Sequence, residues 1–223
     1  MLAHQTGYGA NGKQNFLFPL TDLWLEQGYG TDSYSHQGTY AMDFLGYYNG
    51  LRMSEAPYFA PFDCTCVAIT TGTNPRIVWT SDQEVNFIDG TVGRATIEFI
   101  HDNDTPSFNV GDHRNQGDVI GHTGEYGTAT GDHVHIEAKK GLYEGHTYLS
   151  QYSHYVMNNS SPLTELIGVN NTPILHTTYR GVTYTWNTFA VNDPEPPSIR
   201  LTRKTFPWYL IANKLRNRHF LRK

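Results

Sequence analysis

The most informative stretch of the sequence is Gly131-Asp132-His133-Val134-His135-Ile136-Glu137, in which polar and apolar residues alternate from His133 onward. Such alternation is typical of a β-strand, where successive side chains point to opposite faces. His133, His135 and Glu137 would then share one face, and the two aliphatic residues between them would be buried on the other. Two imidazoles about 7 Å apart on one strand face, followed by a carboxylate, make half of a metal or acid–base site. The other half has to come from elsewhere in the chain.

A second His and Asp pair lies upstream, where six residues separate His36 from Asp43. Zinc binds imidazole nitrogen and carboxylate oxygen, and a hydrolytic zinc site keeps three protein ligands and one open position. His36, Asp43 and His135 would supply such a set. His101 and His133 would then be free for proton transfer and for stabilising a developing oxyanion. The sequence contains no His-Glu-x-x-His motif, which excludes the helical type of zinc site.

Length and composition indicate one globular domain of good size, or one domain with a small appendage. The chain has 223 residues, of which 17% are charged, with 21 glycines, 15 tyrosines and 11 phenylalanines. This composition favours a protein rich in strands and turns over a disordered or coiled-coil one. No apolar run approaches the ~20 residues of a membrane span, and the first residues lack the basic and apolar regions of a secretory signal. Cys64 and Cys66 lie too close along one strand for an unstrained disulfide, so two buried reduced thiols are expected.

Charge divides the chain into two unequal parts. Residues 1–199 carry a net charge of −13, whereas residues 200–223 contain eight Lys and Arg and no acidic residue. Aromatic side chains are interleaved with these basic residues, so nucleic acid, an anionic wall polymer or membrane surface, and a partner protein all come into question as ligands. Docking onto a partner protein is favoured, because Trp208–Ala212 is an apolar anchor too short to span a bilayer.

Strand and turn signals along the rest of the chain predict a mostly β, antiparallel domain. Arg94–His101 alternates well, and a hairpin is predicted from Ile174–Thr178 and Val182–Trp186. A short helix is predicted at Ser161–Ile167, where a proline of the kind found at the first helical position follows the serine. The chain therefore divides into four parts: an N-terminal extension (1–30), the domain that carries the site (31–145), a β and loop extension packed on that domain (146–190), and a Pro-rich linker with a basic anchoring tail (191–223).

Several motifs occur along the chain in an order that is typical of one protein family. They are Ser35-His36-x6-Asp43-Phe44, Phe99-Ile100-His101, Val110-Gly111-Asp112, Gly117-Asp118-Val119-Ile120-Gly121, Thr123-Gly124 and Gly131-x-His133-Val134-His135-Ile136-Glu137. Together they resemble the lysostaphin-like, LytM-type zinc peptidases of family M23, over nearly half of the chain. The resemblance implies a twisted antiparallel β-sheet crossed by a groove. It also implies that the substrates are peptide stems or cross-links of bacterial peptidoglycan.

The resemblance implies a role for each matching residue. His36, Asp43 and His135 match the zinc ligands of the family. His101 and His133 match its two catalytic histidines, of which one helps to activate water and the other stabilises the tetrahedral intermediate.

Glu137 matches a strand carboxylate, which we interpret as a group that orients a ligand imidazole.

The sequence also departs from the family pattern in two places. Three residues usually separate the first His from Asp, and the six found here require a loop or bulge that Gly38 could permit. In addition, Phe-Ile-His-Asp replaces the usual Tyr-Ala-His-Leu around His101.

The sequence as a whole thus predicts a zinc-dependent endopeptidase that hydrolyses peptide bonds in bacterial cell-wall peptidoglycan. The lack of a leader, the lack of a recognisable wall-binding module and the basic tail favour a bacteriophage protein, located in the virion tail or released at the bacterial cell wall. The basic tail is expected to dock onto another virion protein rather than onto nucleic acid. A free phage endolysin of the same chemistry and a non-catalytic structural plug with an M23-like fold are the alternatives. A plug would be expected to lose site residues, whereas all five are present.

Overall fold

The computed structural model describes residues 7–30, 33–104, 108–169 and 174–189. These residues form seventeen strands and one short helix, α1 (Leu163–Leu166). In chain order the strands are β1 (Leu25–Gln27), β2 (Met42–Leu45), β3 (Tyr47–Tyr48), β4 (Leu51–Arg52), β5 (Pro57–Phe59), β6 (Cys64–Thr70), β7 (Arg76–Ser81), β8 (Val85–Asn86), β9 (Val92–Gly93), β10 (Ala95–Ile100), β11 (His113–Arg114), β12 (Val119–His122), β13 (His133–Lys140), β14 (His146–Leu149), β15 (His154–Met157), β16 (Leu175–Tyr179) and β17 (Val182–Trp186). The predicted linker and basic tail, 191–223, lie outside the described residues.

Seven of the strands form one antiparallel sheet in the order β1-β2-β13-β10-β7-β6-β11. β13 pairs with β2 on one side and with β10 on the other, and β10 continues the ladder to β7. The strand predicted from the alternation of His133–Glu137 is therefore central in the sheet. The prediction of a mostly β fold built on an antiparallel sheet is confirmed.

One face of this sheet packs on the hydrophobic core. Val134 and Ile136 are fully buried there, as their alternate positions on β13 predict. The N-terminal segment and the last hairpin complete this core, because Phe18 makes edge-to-face contacts with Phe44 and Trp186 at centroid distances of 5.0 and 5.5 Å. The part of the chain predicted to be an N-terminal extension thus contributes buried aromatic residues to the domain itself.

The opposite face of the central strands is polar, and we call it the polar face. It carries, from four neighbouring strands, Asp43 (β2), His133, His135, Glu137 and Lys139 (β13), Thr96, Glu98 and Ile100 (β10), and Arg76, Val78 and Thr80 (β7). The β14–β15 hairpin covers part of this face, since the backbone N–H of Met157 donates to Glu137 Oε2 at 2.9 Å. Part of the polar face, including Asp43, His135 and Arg76, lines a cavity.

Other local predictions can be compared with the structure directly. The hairpin predicted near residues 174–186 is observed as β16 and β17, with Arg180 and Gly181 in its turn at positive φ. The predicted helix is shorter than its sequence signal, and Pro162 stands at its N-cap. Cys64 and Cys66 are buried free thiols, as expected. No helix in the described residues is long and apolar enough to cross a membrane.

Candidate metal centre

The structure brings the three predicted zinc ligands together. The register of the sheet places Asp43 directly opposite His135 on the neighbouring strand. Asp43 Oδ1 lies 3.0 Å from His135 Nδ1, and Asp43 Oδ2 lies 3.2 Å from His36 Nε2. One ligand atom from each of the three residues lies within 4.8 Å of the others, so the group could hold a metal ion.

The six-residue spacing between His36 and Asp43 is accommodated by a turn that precedes β2. Gly38 lies in this turn with φ +79°, a conformation that glycine adopts without strain. The turn also places the Thr39 hydroxyl where it donates to Glu137 Oε2 at 2.8 Å. The longer spacing therefore adds a contact that ties the His36 loop to β13.

Glu137 is buried behind His135. Its Oε1 lies 3.5 Å from His135 Nε2, while its Oε2 accepts the bonds from Thr39 and from the backbone of Met157. His135 thus has a carboxylate at each ring nitrogen: Asp43 at Nδ1 and Glu137 at Nε2. This geometry suits the orienting role predicted for Glu137, because a ring held at Nε2 presents Nδ1 in a fixed direction.

His101 and His133 lie beside the cluster with their ring centroids 4.6 Å apart. Nδ1 of His133 faces the carbonyl oxygen of Gly131 at 2.7 Å, and Nδ1 of His101 faces that of Tyr126 at 2.8 Å. A carbonyl can only accept, so each Nδ1 carries the hydrogen, and in the neutral ring Nε2 keeps its lone pair. His133 Nε2 lies 3.8 Å from Asp43 Oδ2, which places the free nitrogen of this ring next to the ligand set.

The backbone at His101 is strained. Its φ of 83° falls in the left-handed region that residues other than glycine rarely adopt. Gly124 packs against this position so closely that a Cβ there would lie 2.2 Å from the carbonyl oxygen of His101. Strain of this kind persists where the surroundings enforce it and is concentrated at functional sites.

Burial and charge shift the pKa values of the cluster in different directions. Burial alone would raise the pKa of Asp43, but the adjoining imidazoles of His36 and His135 hold it well below its usual range. Burial works against a charge on His135, yet its bonds to Asp43 and Glu137 raise the pKa of His135 to about 10. For His101 burial and the neighbouring His135 and His133 act together and lower its pKa to about 4. His101 is therefore neutral at neutral pH.

The ligand set fits a divalent cation such as zinc. Metal–ligand bonds of about 2.0–2.1 Å in a tetrahedral site place neighbouring ligand atoms about 3.3 Å apart. Here one oxygen of Asp43 lies 3.0 Å from His135 Nδ1 and its other oxygen lies 3.2 Å from His36 Nε2. Two imidazoles and one carboxylate provide nitrogen and oxygen donors with a single negative charge, which suits zinc chemically.

The cluster opens into a cavity of about 400 Å³ on the polar face. Besides the five predicted histidine and aspartate residues, this cavity is lined by Arg76 of β7, by His154 and Tyr155 of β15, and by the loop residues Thr128–Thr130. Sequence reasoning assigned no site role to Arg76, His154 or Tyr155. Alternation within Arg76–Ser81 could have placed Arg76 on the polar face, but no sequence signal shows which strand β7 pairs with.

These features define a class of protein: an antiparallel β-sheet domain with a candidate His₂Asp metal centre and two further imidazoles in one cavity. No protein-family model matches the chain. The chain is 34% identical over 184 residues to Morphogenesis protein 1 of Bacillus phage B103. The aligned region covers 82% of this chain and 47% of that protein, so the chain spans about half the length of this curated relative.

The structure is also similar to solved structures of peptidases. One is a zinc-containing peptidase from Vibrio cholerae, with 16% identity over 60% of this chain and 42% of that chain and a TM-score of 0.41. Another is the antimicrobial peptidase lysostaphin from Staphylococcus simulans, with 21% identity over 55% of this chain and 44% of that chain and a TM-score of 0.40.

Proposed function

We propose that the chain is a zinc-dependent endopeptidase that hydrolyses peptide bonds in bacterial cell-wall peptidoglycan and acts as part of a bacteriophage particle. The observation that carries the proposal is the convergence of the ligand atoms of His36, Asp43 and His135 within 4.8 Å, in a cavity that also holds His101 and His133. The order of the five residues along the chain, which resembles the M23 pattern, supports the same activity.

In this proposal His36, Asp43 and His135 hold zinc, with Glu137 fixing the ring of His135. When bound, zinc supplies a Lewis acid that polarises the scissile carbonyl and lowers the pKa of water. A carboxylate base is not required, because the imidazoles of His101 and His133 line the same cavity.

The two remaining histidines divide the proton and oxyanion work. His101 is neutral at neutral pH and keeps a lone pair on Nε2, so it accepts the proton of the attacking water. His133, whose Nε2 lies 3.8 Å from Asp43 Oδ2 at the edge of the ligand set, is the second imidazole and is assigned to stabilising the oxyanion. Both rings are held in place by their Nδ1 bonds to backbone carbonyls.

Metal analysis and a digest of cell walls test this proposal together. We expect close to one zinc per chain by elemental mass spectrometry, and new muropeptides cut within their peptides when walls of several bacterial types are digested and analysed by mass spectrometry. A chelator should abolish the cleavage and added zinc should restore it. Asp43→Asn should lose both metal and cleavage. Fewer than one zinc per two chains together with intact wall peptides would overturn the proposal.

The proposal of a phage particle rests on the relative named Morphogenesis protein 1, which belongs to a Bacillus phage. We further propose that the basic residues of 200–223 dock onto another virion protein, because their charge is opposite to that of residues 1–199. Mass spectrometry of purified particles of the encoding phage should detect the chain, with the tail as its expected location. Its absence from particles, with peptidase activity retained, would instead indicate a free endolysin.

A further inference from the structure

The polar face has a row of three side chains that leads away from the ligand set. Ile100 pairs with His135 on one side and with Arg76 on the other, so the three residues stand side by side on three adjacent strands. Adjacent strands lie about 4.8 Å apart, which puts the Cα atoms of Arg76 and His135 about 10 Å from each other. All three line the cavity that contains the ligand set.

Arg76 is only partly engaged by the rest of the protein. Its Nε lies 3.4 Å from Glu98 Oε1, and its guanidinium lies 5.8 Å from the ring centroid of Tyr155. Within the described part of the chain, its two terminal nitrogens have no hydrogen-bond acceptor. Arginine stays protonated in proteins, so these nitrogens offer four N–H donors on a residue that lines the cavity.

Glu98 holds Arg76 in place but neutralises only part of its charge. Glu98 is fully buried, and its other oxygen, Oε2, lies 2.5 Å from His146 Nε2. The carboxylate is thus shared between two basic groups. Arg76 is also the one lysine or arginine among the described residues that line this cavity.

The space beside Arg76 that lies away from the ligand set is open as well. A second cavity of about 450 Å³ adjoins the first and shares Asn74, Arg76, His154 and Tyr155 with it. A peptide substrate lying across the strands could therefore extend from the ligand set over Ile100 to Arg76 and on into the second cavity.

We propose that Arg76 binds a carboxylate of the peptide substrate, two or three residues from the bond that is cut. This inference rests on the proposed peptidase function. The spacing follows from the 10 Å separation and from the ~3.4 Å that each residue of an extended peptide spans. The planar fork of a guanidinium matches a carboxylate with two parallel hydrogen bonds, whereas an amide in the same place offers one acceptor and repels with its own N–H groups. Arg76 is thus a specificity-determining residue.

The experiment compares native muropeptides with the same muropeptides after carbodiimide coupling to ammonia, which converts carboxylates into amides. Wild-type protein should cleave the native peptides with a kcat/KM about 10- to 100-fold above that for the amidated ones. Arg76→Gln should lose this preference by slowing the native substrate alone, with zinc content unchanged. Arg76→Lys, which keeps the charge without the fork, should fall between the two. Arg114→Gln, on β11 at the edge of the sheet, is the matched control and should behave as wild type.

A binding measurement separates the inference from the proposed function. Protein freed of metal with a chelator should bind native muropeptides more tightly than amidated ones in calorimetry, and Arg76→Gln should abolish the difference. If wild-type protein cuts no wall peptide, the proposed function fails, and the binding result still decides the role of Arg76. Equal cleavage of native and amidated peptides, or a preference that survives in folded Arg76→Gln and Arg76→Lys, would overturn the inference. Partial amidation followed by mass spectrometry would show whether the required carboxylate is at a chain end or on a side chain.

Discussion

Asp43 and Glu98 are two buried carboxylates on the polar face. Both lie beside basic side chains, but the kind of basic side chain differs. Each faces basic side chains from neighbouring elements: Asp43 faces His36 and His135, and Glu98 faces Arg76 and His146. The two residues are two strands apart in the same sheet.

The difference lies in the basic partners. An arginine keeps its proton in any protein environment, so Glu98 already has a permanent counter-ion and Arg76 cannot become a metal ligand. The imidazoles around Asp43 can lose their protons and offer lone pairs to a cation. A buried carboxylate in this sheet can therefore serve as half of a structural ion pair or as a metal ligand. Which of the two applies depends on whether the neighbouring basic side chains can be deprotonated.

The largest expected effect separates the two carboxylate clusters by metal binding. His135→Ala should lose zinc at least 100-fold in affinity and reduce wall hydrolysis to background, because it removes one of three ligands. His146→Ala, the matched histidine beside Glu98, should keep one zinc per chain. The zinc affinity of both variants is measured by titration in competition with a chromophoric chelator. Loss of zinc in His146→Ala would break the distinction between the two clusters.

Removing the histidine beside the ligand set should affect activity without affecting metal. His133→Ala should keep zinc and lower kcat about 10²- to 10⁴-fold, the usual contribution of a group that assists proton transfer or stabilises charge. Steady-state kinetics on muropeptides, with zinc content measured on the same sample, give the answer. A variant that lost zinc would place His133 among the ligands instead.

Glu137→Gln should have a smaller effect that is confined to metal affinity. The amide is similar in size, and it can still accept the bond from Thr39, but it no longer offers a charge to His135 Nε2. We expect zinc affinity to fall about 10- to 100-fold, as for other groups that orient a metal ligand. The chelator competition used for His135→Ala measures it, and wild-type affinity would show that Glu137 serves folding alone.

Glu98→Gln should leave the metal centre intact and reduce stability. It removes the charge shared by Arg76 and His146 inside the sheet, and we expect the free energy of unfolding to fall by about 1–3 kcal/mol. Chemical denaturation of the zinc-loaded protein measures this loss. Thr80→Val, on the same face and away from both clusters, is a control for replacing a buried polar side chain. A large loss of zinc in Glu98→Gln would mean that the two clusters are coupled.

The sequence predicts that His36, Asp43 and His135 lie together, because these residues lie at strand periodicity or close to a strand. The alternation at His133–Glu137 predicted both faces of β13, and the remaining His and Asp pair followed from the ligand count of zinc. Arg76 and His146 could not be assigned in the same way. Their meeting at Glu98 depends on the pairing of β7 with β10 and on the fold of a covering hairpin, which are contacts between segments far apart in the chain.

The strained backbone of His101 has a consequence for how this protein could change over time. A residue other than glycine at φ 83° costs of order 1–3 kcal/mol, so glycine at this position would remove that strain together with the imidazole. In the proposed function this strain is the cost of placing a base in the cavity, so selection for thermal stability and selection for wall hydrolysis would act on this position in opposite directions. Laboratory evolution for heat resistance without a screen for wall hydrolysis should accordingly lose this side chain early.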